Sequence, residues 1–385
     1  MTPDTAADTI IGMAKDNTAA ADLWRQIFER AAADPFATVM DPDHDVATDR
    51  ARFREAMAEA GWSEAEINDF EDQQRALEAS APETNPGVNR HVEAMMARLA
   101  DDIEAAMDRL GLKSHTRVAR GVEPRAGPLA AKIGVIMTEE SIVTVGSFLF
   151  RFCGLIARAF TRTLHLDPWL WEAGGYKQET GMALLLRSPD VIRYWHNIYF
   201  SFATTGSHIG VPFRPSTRNE VMLMEQVARA MEIFAIAHEY GHHHFTHGRD
   251  INAESHLQEF EADQFALRIC DEVDRRPVIL ENPYLVSGAG GVVLLMALEM
   301  LRSVEELMGA PPAQGETHPQ VAGRVIRFDS VRLLQPAEFK SLKGFRVASS
   351  RIMALVNQAL VPSLAALPSP LLAEMRRLRE QMRGL

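Results

Sequence analysis

Two histidines and a glutamate stand close together in the stretch Ala237-His238-Glu239-Tyr240-Gly241-His242. The surrounding residues, 218–245, contain no proline and a single glycine near their end, so they predict one long helix. On that helix His238 and His242 are four residues apart and present both imidazoles on one face. Glu239 lies about 100° further round. Two neutral imidazoles can hold Zn²⁺, while the neighbouring carboxylate takes a proton from metal-activated water and returns it to a leaving amine.

A third histidine ligand is hard to find in the residues that follow. Metzincin peptidases require a glycine and a histidine where this chain has Phe245 and Gly248, so that class is excluded. His247 lies about 180° round a continued helix from His238, which makes it a poor ligand. His256 is the remaining histidine alternative.

A glutamate is the better third ligand. Residues from 252 to about 273 predict a second helix, on which Glu259 and Asp263 share one face beside small alanines. This small face lets the second helix approach the first closely. We therefore expect Glu259 to complete a His₂Glu zinc site and Asp263 to accept the N–H of a ligand imidazole. Glu261 is about 200° from Glu259 and is predicted to face solvent or to be structural.

The pattern His238-Glu239-x-x-His242, followed by Glu259-x-x-Ala262-Asp263, resembles the gluzincin metallopeptidases. It is most similar to the M48 group, which includes the CAAX-processing protease and a bacterial heat-shock membrane protease. Thr317-His318-Pro319, with Arg324 six residues after the histidine, resembles a short downstream motif of that group. The likeness covers roughly residues 130–330, and the short H-E-x-x-H spacing also occurs in other soluble peptidases, including a phage-exclusion class.

The resemblance implies a zincin-like helical core with a small sheet whose edge strand binds the substrate backbone, for which residues 133–145 are the candidate. It also implies that His318 stabilises the oxyanion or binds substrate backbone near the zinc, the alternative being a structural histidine beside a proline turn. Many M48 members have transmembrane helices and this chain shows none, so prenyl-protein processing is not expected.

The composition predicts a mainly helical α+β protein: 46% of the residues are hydrophobic, 24% charged and only 7% aromatic. Residues 132–137 and 141–145 predict a β-hairpin. The stretch Gly121 to Pro128 reads as a chain breaker. We predict four regions, which are an acidic helical N-terminal region (1–85), a helix and linker (86–130), a zinc metallopeptidase core (131–335) and C-terminal helices (336–385).

Charge is unevenly distributed along the chain. The first 110 residues hold 24 Asp and Glu against 10 Lys and Arg, within a formal net charge of −12 for the whole chain. No basic cluster indicates nucleic-acid binding. Cys153 and Cys270 sit in apolar runs and read as core residues, not as a disulfide. The start of the chain shows no signal peptide, and the longest uncharged run, residues 282–298, is shorter than the ~20 residues of a membrane span. We expect a cytoplasmic protein.

The sequence therefore favours a zinc endopeptidase that acts on a protein or peptide. The alternative is a metal-bound regulatory or interaction module that cleaves nothing, although Glu239 would then have no purpose. A third reading is a histidine-rich helical scaffold without specific metal.

Overall fold

The fold is mainly α-helical with one small sheet, as the sequence predicts. The computed structural model describes residues 19–20, 22–24, 26, 46–81, 89–112, 118–123, 127–135, 138–171, 176–247, 255–274, 281–310, 320–329 and 336–383. Within these residues the α-helices are α1 (Val46–Glu59), α2 (Glu64–Ala79), α3 (Arg90–Arg109), α4 (Leu149–Leu164), α5 (Gln178–Leu186), α6 (Pro189–Thr205), α7 (Arg218–His244), α8 (Ser255–Asp274), α9 (Pro283–Val286), α10 (Ala289–Leu307), α11 (Val321–Phe328), α12 (Pro336–Ala365) and α13 (Ser369–Arg383). A short 3₁₀ helix spans Pro168–Trp171.

The sheet has three strands, β1 (Val118–Glu123), β2 (Ala130–Gly134) and β3 (Ser141–Gly146), in the order β1-β3-β2. Strands β2 and β3 pair antiparallel with Ile133 opposite Ile142, which confirms the predicted hairpin. Strand β1 pairs with β3 in parallel. The sequence did not predict β1, because Gly121 was read as part of a breaker.

Gly121 is in fact a packing glycine. A Cβ on it would stand 2.3 Å from Cζ2 of Trp24, so only glycine lets that indole lie on the strand. Trp24 and Ala20 form a small buried cluster with Ala119 of β1 and Ile142 of β3. The helical residues around Trp24 thus cover one face of the sheet.

Helix α7 is the central element of the core. It packs against α4, α8, α9 and α10 and against strands β2 and β3. It begins with a capping box between Thr217 and Glu220, and it is buried along most of its length from Val227 to His243. Burial on several sides fixes the position of the two histidines near its C-terminal end.

Small residues let the neighbouring helices approach α7 closely. A Cβ on Gly290 of α10 would lie 2.4 Å from the Cβ of Ala230, so α10 crosses α7 with almost no space between them. The uncharged run of the sequence thus lies largely in a buried core helix. Cys153 and Cys270 are buried and unbonded to each other, as predicted.

Among the described residues no single helix is both long and apolar enough to cross a bilayer. One pair of helical segments, Leu342–Ala365 and Ser369–Gln381, is long and apolar enough when the two are taken together, but the pair is bent by 104°.

Candidate metal centre

Three side chains converge where α7 crosses α8. His238 and His242 project from α7 with their Nε2 atoms 3.1 Å apart. Glu259 of α8 reaches both, since Oε2 lies 3.4 Å from Nε2 of His238 and Oε1 lies 3.4 Å from Nε2 of His242. The structure therefore brings together the three residues that the sequence singles out as metal ligands.

The spacing of these atoms fits a tetrahedral metal site. With metal–ligand distances of about 2.0–2.1 Å, two ligands of a tetrahedral zinc ion are about 3.3–3.4 Å apart. The three measured separations lie at or just below that value. Two imidazoles and one carboxylate are also a donor set that zinc accepts, and three protein ligands leave a fourth position open.

Glu259 reaches the histidines because α7 and α8 nearly touch. A Cβ on Gly241 would stand 2.9 Å from the Cα of Ala262 and 3.2 Å from its carbonyl oxygen. Gly241 is one residue before the candidate ligand His242, and Ala262 is three residues after the candidate ligand Glu259. This small pair is thus part of what sets the distance between Glu259 and the two histidines.

The second nitrogen of His238 faces a buried ion pair. Nδ1 of His238 lies 3.1 Å from Oδ1 of Asp263. Arg324 of α11 binds Asp263 with two hydrogen bonds, Nε to Oδ2 at 2.7 Å and Nη2 to Oδ1 at 2.6 Å. Nη1 of Arg324 also lies 3.4 Å from Oε2 of Glu259. In the sequence Arg324 stands out only as part of the motif that begins at Thr317. In the structure its guanidinium contacts the carboxylates of both Asp263 and Glu259.

The second nitrogen of His242 faces His247. The two Nδ1 atoms are 2.9 Å apart, and Nε2 of His247 lies 3.0 Å from Oε2 of Glu261. His247 reaches this position because α7 ends at His244 and the chain turns back. Thr246 has φ of 54°, in the left-handed region, and the N–H of His247 binds the carbonyl of His242 at 2.9 Å.

The site is electrostatically suited to a cation. Burial lowers the pKa of His238, but the Asp263 and Glu259 carboxylates outweigh burial and raise it to about 9. Burial raises the pKa of Asp263, yet Arg324 and His238 bring it below its usual value, so this carboxylate is ionised at neutral pH. Burial lowers the pKa of His247, which favours its neutral form. Without metal, the buried carboxylates favour a protonated His238. The same negative charges would stabilise a bound divalent cation.

Glu239 lines a cavity of about 410 Å³ together with His238 and Glu259. One wall is apolar and consists of side chains from α10, α4 and α7, namely Leu149, Phe234, Leu294, Leu295 and Leu298. The polar residues at the cavity are Glu299, Arg302, Gln320 and Arg324 in addition to the three site residues. Glu239 therefore stands beside the candidate ligands at the edge of a space large enough for a peptide side chain.

Two predicted site features have different outcomes. His318, with Thr317 and Pro319, lies outside the described residues. His256, the alternative third ligand, lies in the first turn of α8 and is not a member of the converging group. Sequence reasoning took His247 as a poor ligand and Glu261 as a solvent-facing or structural carboxylate, so it missed the contacts that they make here. The signal that could have found these contacts is the turn at Thr246, which no helical periodicity reveals.

Part of the chain matches a protein-family model. Residues 211–339 are similar to the family described as Peptidase U49. The matched segment runs from just before α7 into the start of α12 and includes every described residue of the centre. It covers about a third of the chain and indicates a peptidase. Comparison with curated proteins gives no significant match, and neither does comparison with solved structures.

Proposed function

We propose that this protein is a zinc-dependent endopeptidase of the His₂Glu, or gluzincin, type. The observation that carries the proposal is the convergence of His238, His242 and Glu259 at the separations of a tetrahedral site, inside a segment similar to a peptidase family. The likeness to the M48 group stays a prediction, since the matching model describes another peptidase family. The cytoplasmic location also stays a prediction.

Each residue of the centre has a definite task in this proposal. His238, His242 and Glu259 hold the ion, which when bound polarises a carbonyl and lowers the pKa of water to about 7. Glu239 accepts a proton from the attacking water and then donates it to the leaving nitrogen. The peptide C–N bond therefore breaks with release of a neutral amine instead of an amide anion. Asp263 keeps the proton of His238 on Nδ1, which leaves Nε2 free to bind.

The cavity indicates what part of a substrate enters beside the ligands. Its apolar wall suits an aliphatic or aromatic side chain of the substrate. Burying such a side chain there would stabilise the complex by about 1.5–3 kcal/mol. Arg302 and Glu299 at the polar end are positioned to bind backbone or polar groups. We expect cleavage next to a large apolar residue of a protein or peptide.

The decisive experiment compares wild-type protein with Glu239→Gln. Zinc is counted by elemental analysis, and cleavage is followed by mapping new N-termini in a whole-proteome digest and in a peptide library. We expect one zinc per chain in both proteins and new termini only with the wild type. Glu259→Gln, which removes the charge of a ligand, should lose both zinc and cleavage.

The other two readings predict different results. Stoichiometric zinc without new termini in either library would favour a non-cleaving metal-bound module. Purified protein without zinc, even after incubation with it, would refute both metal-dependent readings. A Glu272→Gln variant, on the same helix but paired with Arg109 away from the site, controls for the loss of one carboxyl charge.

A further inference from the structure

The two ligand histidines have their outer nitrogens held in different ways. His238 meets an aspartate clamped by an arginine, as zinc-binding histidines often meet a carboxylate. His242 instead meets a second histidine, His247, which in turn meets Glu261. Neither His247 nor Glu261 touches the position where the three ligand atoms converge.

We propose that His247 and Glu261 are positioning residues that fix the ring orientation and tautomer of His242. This inference rests on the proposed zinc function. For Nε2 of His242 to bind metal, the proton of the neutral ring must be on Nδ1. At 2.9 Å that N–H donates to Nδ1 of His247, so the proton of His247 is on Nε2 and donates to the Glu261 carboxylate at 3.0 Å. Each hydrogen bond in the series from His242 through His247 to Glu261 then has one donor and one acceptor.

The local backbone is built to hold His247 in this place. Helix α7 ends in a Schellman turn, with the N–H of Thr246 bound to the carbonyl of His243 and the N–H of His247 bound to that of His242. The position with positive φ is usually glycine, and here it is a β-branched threonine, whose left-handed conformation costs about 1–2 kcal/mol. The chain tolerates this strain at the residue that turns His247 back toward His242.

Two further contacts hold the turn in place. Nζ of Lys132, on strand β2, donates to the carbonyl oxygen of His247 at 2.7 Å. The ring of Phe245 stacks on the His247 ring with centroids 5.4 Å apart. The His247 side chain is only 6% exposed, whereas that of Glu261 is 56% exposed. His247 is therefore the firmly held member of the pair, and Glu261 completes it from the surface.

The test uses His247→Phe, which keeps a planar ring and removes both nitrogens. Zinc affinity is measured by competition with a chromophoric chelator, and we expect it to fall 10–100-fold, as when a comparable supporting contact of a metal ligand is lost. His244→Phe is the matched control, since its ring packs on Phe245 and Phe265 at the same helix end. We expect that control to bind zinc as the wild type does. Glu261→Leu, on an exposed side chain, should give a smaller loss.

A second readout needs no metal. Nitrogen-15 NMR of histidine-labelled, metal-free protein reports the tautomer of His242, whose signals are assigned with His242→Gln. The spectra are recorded near pH 10, above the His238 pKa of about 9, because a protonated His238 would donate to Nε2 of His242 and hold its tautomer by itself. There we expect a proton on Nδ1 of His242 in the wild type and a mixture of tautomers in His247→Phe. If wild-type protein binds no zinc, the proposed function fails and the tautomer alone decides this inference. Unchanged zinc affinity, or an unchanged His242 tautomer, in folded His247→Phe would overturn it.

Discussion

Gly241→Ala tests whether the close approach of α7 and α8 builds the proposed metal centre. The added methyl would stand 2.9 Å from the Cα of Ala262, 3.2 Å from its carbonyl oxygen and 3.2 Å from the Cβ of Phe265. None of these atoms moves with a change of side-chain rotamer. The variant can fit only if the two helices separate.

The size of the shift follows from ordinary carbon–carbon contact distances. Since these are about 3.5–4.0 Å, α8 must move by about 0.6–1 Å. Glu259 is on the same helix as Ala262, so its oxygens would move from 3.4 Å to about 4 Å or more from the histidine nitrogens. That is beyond the spacing of about 3.3–3.4 Å that a tetrahedral zinc site needs. We expect zinc affinity to fall at least tenfold.

Stability should change less than zinc affinity. Alanine favours a helix over glycine by about 1 kcal/mol, while overpacking costs about 1–3 kcal/mol. These terms partly cancel, so the free energy of unfolding of the metal-free protein should fall by no more than about 2 kcal/mol. Zinc affinity is therefore measured by chelator competition, and stability separately by urea unfolding of the metal-free protein.

Gly344→Ala is the control for the change from glycine to alanine. Gly344 is inside α12 and a Cβ there would meet nothing within 4 Å. That variant should gain up to about 1 kcal/mol of stability and keep its zinc affinity. If Gly241→Ala behaves like this control, gaining stability and binding zinc as the wild type does, the close approach of α7 and α8 is not what builds the zinc site.

Thr246→Gly should raise the free energy of unfolding by about 1 kcal/mol in urea titrations, since it removes a β-branched side chain from a positive φ; lower stability would show that Thr246 is not strained. Burial raises the pKa of Glu232 to about 8, so this carboxyl is protonated in the folded protein at neutral pH. The unfolded chain releases that proton from about pH 4.5 upward, so the free energy of unfolding should decline between about pH 4.5 and 8. Glu232→Gln should flatten this decline by an amount on the order of 3–5 kcal/mol. Parallel plots of unfolding free energy against pH for the two proteins would contradict the assignment. Arg324→Met should destabilise the metal-free protein by about 3–5 kcal/mol at pH 7, because it leaves Asp263 and Glu259 buried without the guanidinium. Since the Asp263 pKa is depressed in the wild type, the difference should shrink as the pH falls below about 4, and a pH-independent difference would indicate lost packing instead.

The sequence was sufficient for the parts of the centre that depend on helical phase. His238 and His242 lie on one face because they are four residues apart, and Glu259 and Asp263 share a face for the same reason. The close crossing of the two helices was also predictable, since a glycine and an alanine stand next to the ligands. Regular secondary structure converts spacing into geometry, so these predictions needed no tertiary information.

The parts that the sequence did not predict depend on irregular backbone or on long-range contact. His247 was dismissed because it lies far round a continued helix, but the helix ends first and Thr246 reverses the chain. Strand β1 was missed because Gly121 is a breaker by type, and only the indole of Trp24 lying on it explains the glycine. In both cases the deciding fact is a conformation or a partner that local propensity does not encode.

The two supports of the ligand histidines differ in their exposure to solvent. The Asp263 and Arg324 side chains beside His238 are 3% and 9% exposed, so water and salt screen their interaction weakly. Glu261 beside His247 is more than half exposed, and an interaction with such a group is screened and contributes little by itself. The orientation of His242 therefore depends more on the backbone turn at Thr246 and on the Lys132 contact than on the terminal carboxylate. His238 is therefore held by buried charges, whereas the ring of His242, the other candidate histidine ligand, is held mainly by the backbone at the end of α7.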